Sequence, residues 1–245
     1  MDDRIKVFKN LENKGVSRTS NFAISQAKGQ FIARMDSDDI MYPSRLEDQV
    51  RFLQKHPKVI IVGGQVKLVD GGGNFMGDKL FPLKHKEISE MLYTAMPIQQ
   101  GAMMVNAALL PRKFSWYNGV RVAEEVKLFF KLLNCGEFAN LPKFVLKYRQ
   151  YPTSASLKDP KETFKVTFRA RRSAEKRYKY TPSAKAKIVS FVQLVAVSVL
   201  PSPLIYPTFM LFRKISAKNL YAVNTVKRTF SAVVPLPVKQ SLKLI

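Results

Sequence analysis

Phe31 to Met35 is a short, mostly apolar run that reads as a strand, and it ends abruptly on acid. Within four positions the chain presents three carboxylates, Asp36, Asp38 and Asp39, with only Ser37 between the first two. Acids at the end of a buried strand repel one another and resist desolvation, so such a corner calls for a cation. At the C-terminal edge of an α/β sheet, where ligands collect, the matching cation is a divalent metal carrying phosphates. The other reading is a solvated acidic turn that caps the next helix.

The flanking pattern supports an α/β fold. Ile5 to Phe8 reads as a short strand. Gly15 opens a helix through Ala27, with Val16, Ala23, Ile24 and Ala27 as its buried face. Helix followed by strand suggests parallel pairing. Pro43 starts a second helix whose inner face is Leu46, Val50 and Leu53, and Pro57 closes it. Val59 to Val62 and Val66 to Val69 read as two strands, and the run Asp70 to Asn74 as a hairpin turn. That glycine run lacks the rest of a phosphate-binding loop. Further on, the pattern predicts a helix over Lys84–Ala95, a strand over Ala102–Val105 and a helix over Arg121–Leu133, striped by Val122, Val126, Phe129, Phe130 and Leu133. Phe138 to Tyr148 is mixed loop and strand, Pro152 to Pro160 a linker, and Lys161 to Tyr180 a very basic helix.

Charge divides the chain in two. The formal net charge is +23, and from Lys176 to the end there are twelve Lys and Arg but no acid. A polyanion is therefore the expected neighbour, either nucleic acid or an anionic membrane surface. Ile188 to Phe212 contains no charged residue, but Pro201, Pro203 and Pro207 break it, and its longest proline-free stretch, Ile188 to Leu200, is too short to span a bilayer. An interfacial or re-entrant segment flanked by Lys185, Lys187, Arg213 and Lys214 fits, as does a buried helical pair in a small second core. The bases flank an apolar run instead of alternating with stacking aromatics, which argues against nucleic acid. Cys135 lies in an apolar helical pattern suited to packing, and His56 and His85 stand apart from any ligand spacing. The polar start Met1-Asp2-Asp3-Arg4 carries no signal peptide pattern, which places the expected site of action at the cytoplasmic face of the membrane.

Several short motifs follow one another at a familiar spacing. Asn13-Lys14-Gly15-Val16-Ser17, Asn21, Ala27-Lys28-Gly29, Phe31 through Asp39 and Pro43-Ser44-Arg45-Leu46 together resemble the family 2 glycosyltransferases of the GT-A fold. Ala123-Glu124-Glu125 with Leu128 and Lys131 looks like that family's acidic helix start, and Leu146-Lys147-Tyr148-Arg149 like its closing Tyr-Arg signature. The resemblance covers residues 1–155. It implies a GT-A-type, Rossmann-like mixed sheet flanked by helices, with 156–245 as a basic, membrane-associating helical tail.

The chemistry implied is transfer of a sugar from a nucleoside-diphosphate donor to a glycan or glycolipid acceptor, with inversion at the anomeric carbon. Mg²⁺ or Mn²⁺ would neutralise the leaving diphosphate. By the resemblance Asp38 is the metal-side carboxylate and Asp36 lies toward the donor's ribose and diphosphate, both holding the metal. Asp39 is either an outer orienter of the donor site or a helix cap. Glu125 matches the base that deprotonates the acceptor hydroxyl, with Glu124 beside it, although two acids also suit a helix N-terminus with no catalytic duty. Tyr148 and Arg149 face acceptor or donor phosphate, or else serve packing and a salt bridge.

Three departures accompany the resemblance. Glu125 is one methylene longer than the aspartate typical there, and a displacement of about 1 Å can cost about 100-fold in rate. Gln100 and Gly101 stand where a histidine and a serine are frequent. The family's opening strand and helix, which build much of the nucleotide pocket, have no counterpart before Ile5. That implies an N-terminally truncated sheet, belonging either to a longer enzyme or to a catalytically impaired relative that persists as a basic membrane-bound scaffold.

Overall fold

The computed structural model describes residues 2–117, 124–151 and 159–202, together with 204, 205 and 208. In chain order the elements are α1 (Gly15–Ser25), β1 (Phe31–Ala33), β2 (Ile40–Met41), α2 (Arg45–Lys55), β3 (Val59–Val69), β4 (Phe75–Lys79), α3 (His85–Leu92), β5 (Met104–Asn106), α4 (Glu124–Leu133), β6 (Glu137–Arg149), α5 (Pro160–Arg177) and α6 (Ala184–Val199). Short 3₁₀ turns at Gln100–Ala102 and Ala107–Leu109 bracket β5. The expected linker residues 152–158, the helix start at 121–123 and most of the apolar run beyond 202 lie outside the described residues.

One sheet organises the unit, in the order β1-β5-β3-β6-β2, with β4 also paired to β3. It is mixed: β3 and β6 run parallel, while β1/β5, β2/β6, β3/β4 and β3/β5 are antiparallel. β3 is a single strand and not two. It passes through Gly63 and Gly64 without a break because a Cβ at either position would collide with Ile98 or Val145, so only glycine lets these neighbours close in. β6 likewise runs unbroken from Glu137 to Arg149, where mixed loop and strand was expected. Both strands lie at the sheet centre, where ladder pairing on both sides overrides weak local signals.

Two apolar clusters flank the sheet. One joins Ile60 and Ile61 to Val126, Phe129 and Phe130 of α4 and to Ala170 and Ala174 of α5; the other gathers Leu53, Val62, Val66, Phe81 and Leu146. α5 is therefore part of the central core, and the compact unit runs from Met1 to Tyr206, past the boundary read at 155–156. Small residues on one α5 face let a strongly basic helix approach α4 closely, with Arg171 buried between Ala170 and Ala174.

Two local expectations are corrected. Ile5 to Phe8 forms no strand, since no edge pairs with it, and it is held by an edge-on contact of Phe8 with Phe22 at 5.2 Å between centroids. The inner face of α2 is Arg45, Gln49 and Leu53, whereas Leu46 is exposed. Gln49 donates to the carbonyls of Ala102 (2.8 Å) and Val62 (3.3 Å), and Arg45 Nη2 to that of Arg34 (2.7 Å). Carbonyls left free by the sheet beneath α2 need donors, and apolar side chains have none.

Gln65, buried within β3, makes a similar bridge. Its Nε2 donates to Leu141 O at 3.0 Å and its Oε1 accepts from Phe81 N at 2.8 Å. Gln65→Leu strands both backbone groups without partners and should cost about 3 kcal/mol of stability, measurable as a lowered urea midpoint with an unchanged slope.

Candidate active site

The acidic turn leaves β1 and immediately divides its labour. Asp36 is partly exposed, and its Oδ1 accepts from Arg34 Nη2 at 3.0 Å. Arg34 Nη1 donates to the Tyr117 hydroxyl at 3.0 Å, as does Gln100 Nε2 at 3.0 Å. Asn21 of α1 clips the Tyr117 backbone on both sides, accepting from its N–H at 3.0 Å and donating to its carbonyl at 2.9 Å. Burial works against the charge of Arg34, but Tyr117 and Asp36 outweigh it and keep the guanidinium protonated.

Asp38 is exposed, and no hydrogen bond from the described residues reaches its carboxylate. Asp39 turns inward, 6% exposed. Its Oδ1 accepts from Arg149 N at 2.9 Å, while Oδ2 is buried with no hydrogen-bond partner. Asp39 is thus no helix cap: α2 is preceded by Ser44, and the Asp39 carboxylate reaches β6 instead. Burial pushes its proton affinity up to about 6, the Arg149 N–H opposes this, Asp36 and Asp38 add to it, and Arg45 opposes it again.

Gly101 explains how the carboxylates approach. A Cβ there would stand 3.0 Å from Asp39 Oδ2 and 3.1 Å from Asp36 Oδ2, so both oxygens crowd a space that only glycine leaves open. The glycine that departs from the resembled pattern is therefore the floor beneath the acids. Among the described residues no group of three acidic, imidazole or thiol side chains gathers to enclose a metal by itself.

A cleft of about 1270 Å³ opens between α1 and β1, and Asn13, Arg34, Asp36, Ser37, Trp116 and Tyr117 are among its walls. It is ample for a nucleotide-sized ligand. Glu124 and Glu125 open α4. The Glu125 carboxyl is largely enclosed by protein, and burial raises its proton affinity, with Glu124 adding to the effect; its own backbone N–H, Arg34 and Arg171 pull the other way. Arg34 thus bonds Asp36 and also acts on Glu125.

Tyr148 and Arg149 end β6. The Lys79 ammonium lies 5.5 Å from the centre of the Tyr148 ring. Arg149 spends its side-chain donors on backbone carbonyls, Nε on Asp38 O at 2.9 Å and Nη1 on Gly71 O at 2.8 Å, so it pins the acidic turn to the β3–β4 hairpin. Sequence reasoning missed Arg45, Gln100 and Tyr117 as parts of this site. The usable signal was polar spacing in α2, where Arg45, Gln49 and Leu53 recur every fourth residue.

With this geometry in view, the comparisons with known proteins become specific. Residues 1–110 match the family model described as glycosyl transferase family 2. The match takes in somewhat less than half of the chain, and over it the chain is similar to that family. The matched stretch includes the acidic turn and Gly101; Glu125 and Arg149 lie beyond it. EpsE of Bacillus subtilis is 32% identical over 154 residues, 60% of this chain and 53% of EpsE. The O-antigen biosynthesis glycosyltransferase WbnJ of Escherichia coli is 28% identical over 152 residues, 61% of this chain and 58% of WbnJ. The chain spans about half the length of the curated relatives it matches. Among solved structures, S. aureus TarS 1–349 in complex with UDP-GlcNAc superposes with a TM-score of 0.53 at 17% identity, covering 75% of this chain and 53% of that one, which shows a common GT-A fold.

The enclosed Glu125 carries a stability signature. Its folded state binds a proton more tightly than an unfolded chain does, so ionised Glu125 works against folding above its ordinary value of 4.5, and that cost is absent below it. Glu125→Gln should melt at a higher temperature than the parent at pH 7.5, with the gain fading as pH falls below 4.5, in paired calorimetric scans.

Proposed function

We propose that this glycosyltransferase domain transfers a sugar from a nucleoside-diphosphate donor to a glycan or glycolipid acceptor, inverting the anomeric centre. The observation that carries the reading is the crowding of Asp36, which lines a nucleotide-sized cleft, with Asp39 over Gly101, one Asp39 oxygen being unpartnered. Crowded like charges with a spare buried oxygen on Asp39 suit a hard divalent cation that keeps water and phosphate in its shell, as Mg²⁺ and Mn²⁺ do. Asp36, Asp38 and Asp39 would hold it, and the ion would supply charge neutralisation for the departing diphosphate. The protein's own parts supply the rest. Tyr117, Trp116 and Arg34 line the donor side; Glu125 accepts the proton of the attacking hydroxyl; Gln100 and Asn21 hold Tyr117 in place.

The relatives WbnJ and AmsE are named for O-antigen and amylovoran biosynthesis, and TarS was solved with UDP-GlcNAc. These names support a nucleotide-sugar donor and a cell-surface polysaccharide acceptor. Titration calorimetry of the full chain with UDP-sugars and Mn²⁺ tests the site. Asp38→Asn should weaken Mn²⁺-dependent binding at least about 10-fold without lowering the melting temperature. Equal binding by parent and variant, or binding indifferent to Mn²⁺, defeats the assignment.

The domain acts at the cytoplasmic face of an anionic membrane. Among the described residues no helix is long and apolar enough to cross one. α6 instead buries Ala186, Ser190 and Val197 and turns Ile188, Phe191, Val192, Val195 and Val199 outward, Phe191 being 63% exposed. That stripe beside Lys185, within an acid-free segment, suits shallow insertion among acidic headgroups, and confinement there raises the effective concentration of a lipid-linked acceptor. Ile188→Asp/Phe191→Asp should lower partition onto phosphatidylserine-containing vesicles at least about 10-fold in a sedimentation assay. Unchanged partition would remove α6 from the contact.

A further inference from the structure

Four strands present an open row of side chains beside the acidic turn. Register pairs Ile40 of β2 with Lys147 of β6, Lys147 with Lys67 of β3, and Lys67 with Asp78 of β4. Paired residues share a face of a sheet, so these four stand on one side of it. β3 is buried along its length except at Lys67, and Ile40, Lys147 and Asp78 are exposed. Solvent reaches the sheet here.

Aromatic rings hold the two ammonium groups of this row. Lys67 Nζ lies 4.7 Å from the centre of the Phe75 ring and 4.5 Å from that of Phe144, and it pairs with Asp78 Oδ1 at 3.3 Å. Lys147 Nζ lies 6.0 Å from the centre of the Tyr42 ring and meets no acid within salt-bridge distance among the described residues. Covering the rings and meeting Asp78 accounts for Lys67, but Lys147 keeps an uncompensated charge. The row also adjoins the acidic corner. β2 begins at Ile40, directly after Asp39, and Arg149, whose N–H holds Asp39, follows Lys147 on β6 by about 7 Å of strand.

We propose that this face binds an acidic glycan, a carboxylate-bearing polysaccharide acceptor laid across β2, β6, β3 and β4 with its reacting end at the acidic turn. This rests on the reading of the chain as a sugar-transferring domain. Single ammonium groups on adjacent strands, about 5 Å apart, match singly charged carboxylates on successive sugar rings. A phosphate-bearing chain calls for the forked donors of arginine, and Arg149 spends its own on backbone carbonyls. Phe75 is 61% exposed at one end of the track and Ile40 45% exposed at the other, and such open apolar surface suits the C–H faces of sugar rings. The track and the membrane-facing stripe of α6 therefore use different residues.

Fluorescence polarisation of the full chain with labelled oligogalacturonate at physiological salt tests this without turnover. A chain of net charge +23 attracts any polyanion, so the control removes equal charge elsewhere. Lys67→Gln/Lys147→Gln should weaken binding about 10-fold, while Lys84→Gln/Lys86→Gln, at the exposed start of α3, should stay within about twofold of the parent. Equal losses in the two double variants overturn the proposal, as does parent-like binding by Lys67→Gln/Lys147→Gln. So does a loss of the same size on phosphatidylserine vesicles or single-stranded DNA, because the face would then read charge and not glycan. If the Lys67 change unfolds the chain, Lys147→Gln alone decides: a loss of at least about threefold supports the track and parent-like binding overturns it. UDP-sugar binding with Mn²⁺, measured on the same proteins, separates the two readings. Oligogalacturonate held through Lys147 by a chain that binds no UDP-sugar supports the glycan face and defeats the transferase reading. UDP-sugar binding without oligogalacturonate binding overturns the track and leaves that reading standing.

Discussion

Negative charge gathered where β1 ends is the constraint to which the rest of this unit is fitted. Three carboxylates within four residues, one of them buried, would drive the turn apart if water were their only counterweight. The surrounding elements answer with fixed positive ends. Arg34 takes Asp36, the Arg149 N–H takes Asp39, and Arg45 lies buried nearby as a further cation. None of these fully quenches the corner, for Asp39 Oδ2 keeps its lone pairs without a donor and Asp38 stays open. A site compensated to that degree is held together by the fold yet keeps acceptor oxygens without donors.

The same logic explains why polar side chains occupy the faces beneath this turn. Gln49, Gln65 and Asn140 are buried, and each donates to backbone carbonyls that the ladder leaves free: Ala102, Leu141, and Pro82 with Pro97. Hydrogen-bonded struts of this kind define relative positions more sharply than apolar packing does, because a displaced partner costs the full desolvation of the group left behind. The acidic turn needs such definition, since the carboxylate oxygens have only the space above Gly101 to share.

Much of this was legible before any coordinates. The run from Phe31 to Asp39 marked a strand and an acidic corner together, and the stripe Val126, Phe129, Phe130 marked α4, because both signals are local. What stayed hidden was non-local. β3 looked like two strands because Gly63 and Gly64 carry no strand propensity; their role appears only when Ile98 and Val145 are seen pressed against them. α5 looked like surface because its charges dominate its composition, whereas its burial rests on Ala170 and Ala174, residues too small to register as a stripe. Arg45 lies outside the apolar stripe expected for α2: a charged residue at a helix start is normally exposed, and here its donation to the carbonyls of Arg34 and Met103 reverses that.

Two ranges of electrostatics then act at once on a chain of net charge +23. At long range the excess of Lys and Arg sets up a positive field of the sign that attracts polyanions. At contact range the β1 corner sets three carboxylates against the guanidinium groups of Arg34, Arg45 and Arg149. Salt separates the two. Beyond a Debye length of about 8 Å the collective attraction fades at physiological ionic strength, while a buried carboxylate such as Asp39 is scarcely screened. Interactions at the corner therefore depend on local geometry, and long-range encounters depend on the global field. Long-range and contact electrostatics are thus carried by different residues, the excess of Lys and Arg for the first and the Asp36–Asp39 turn for the second.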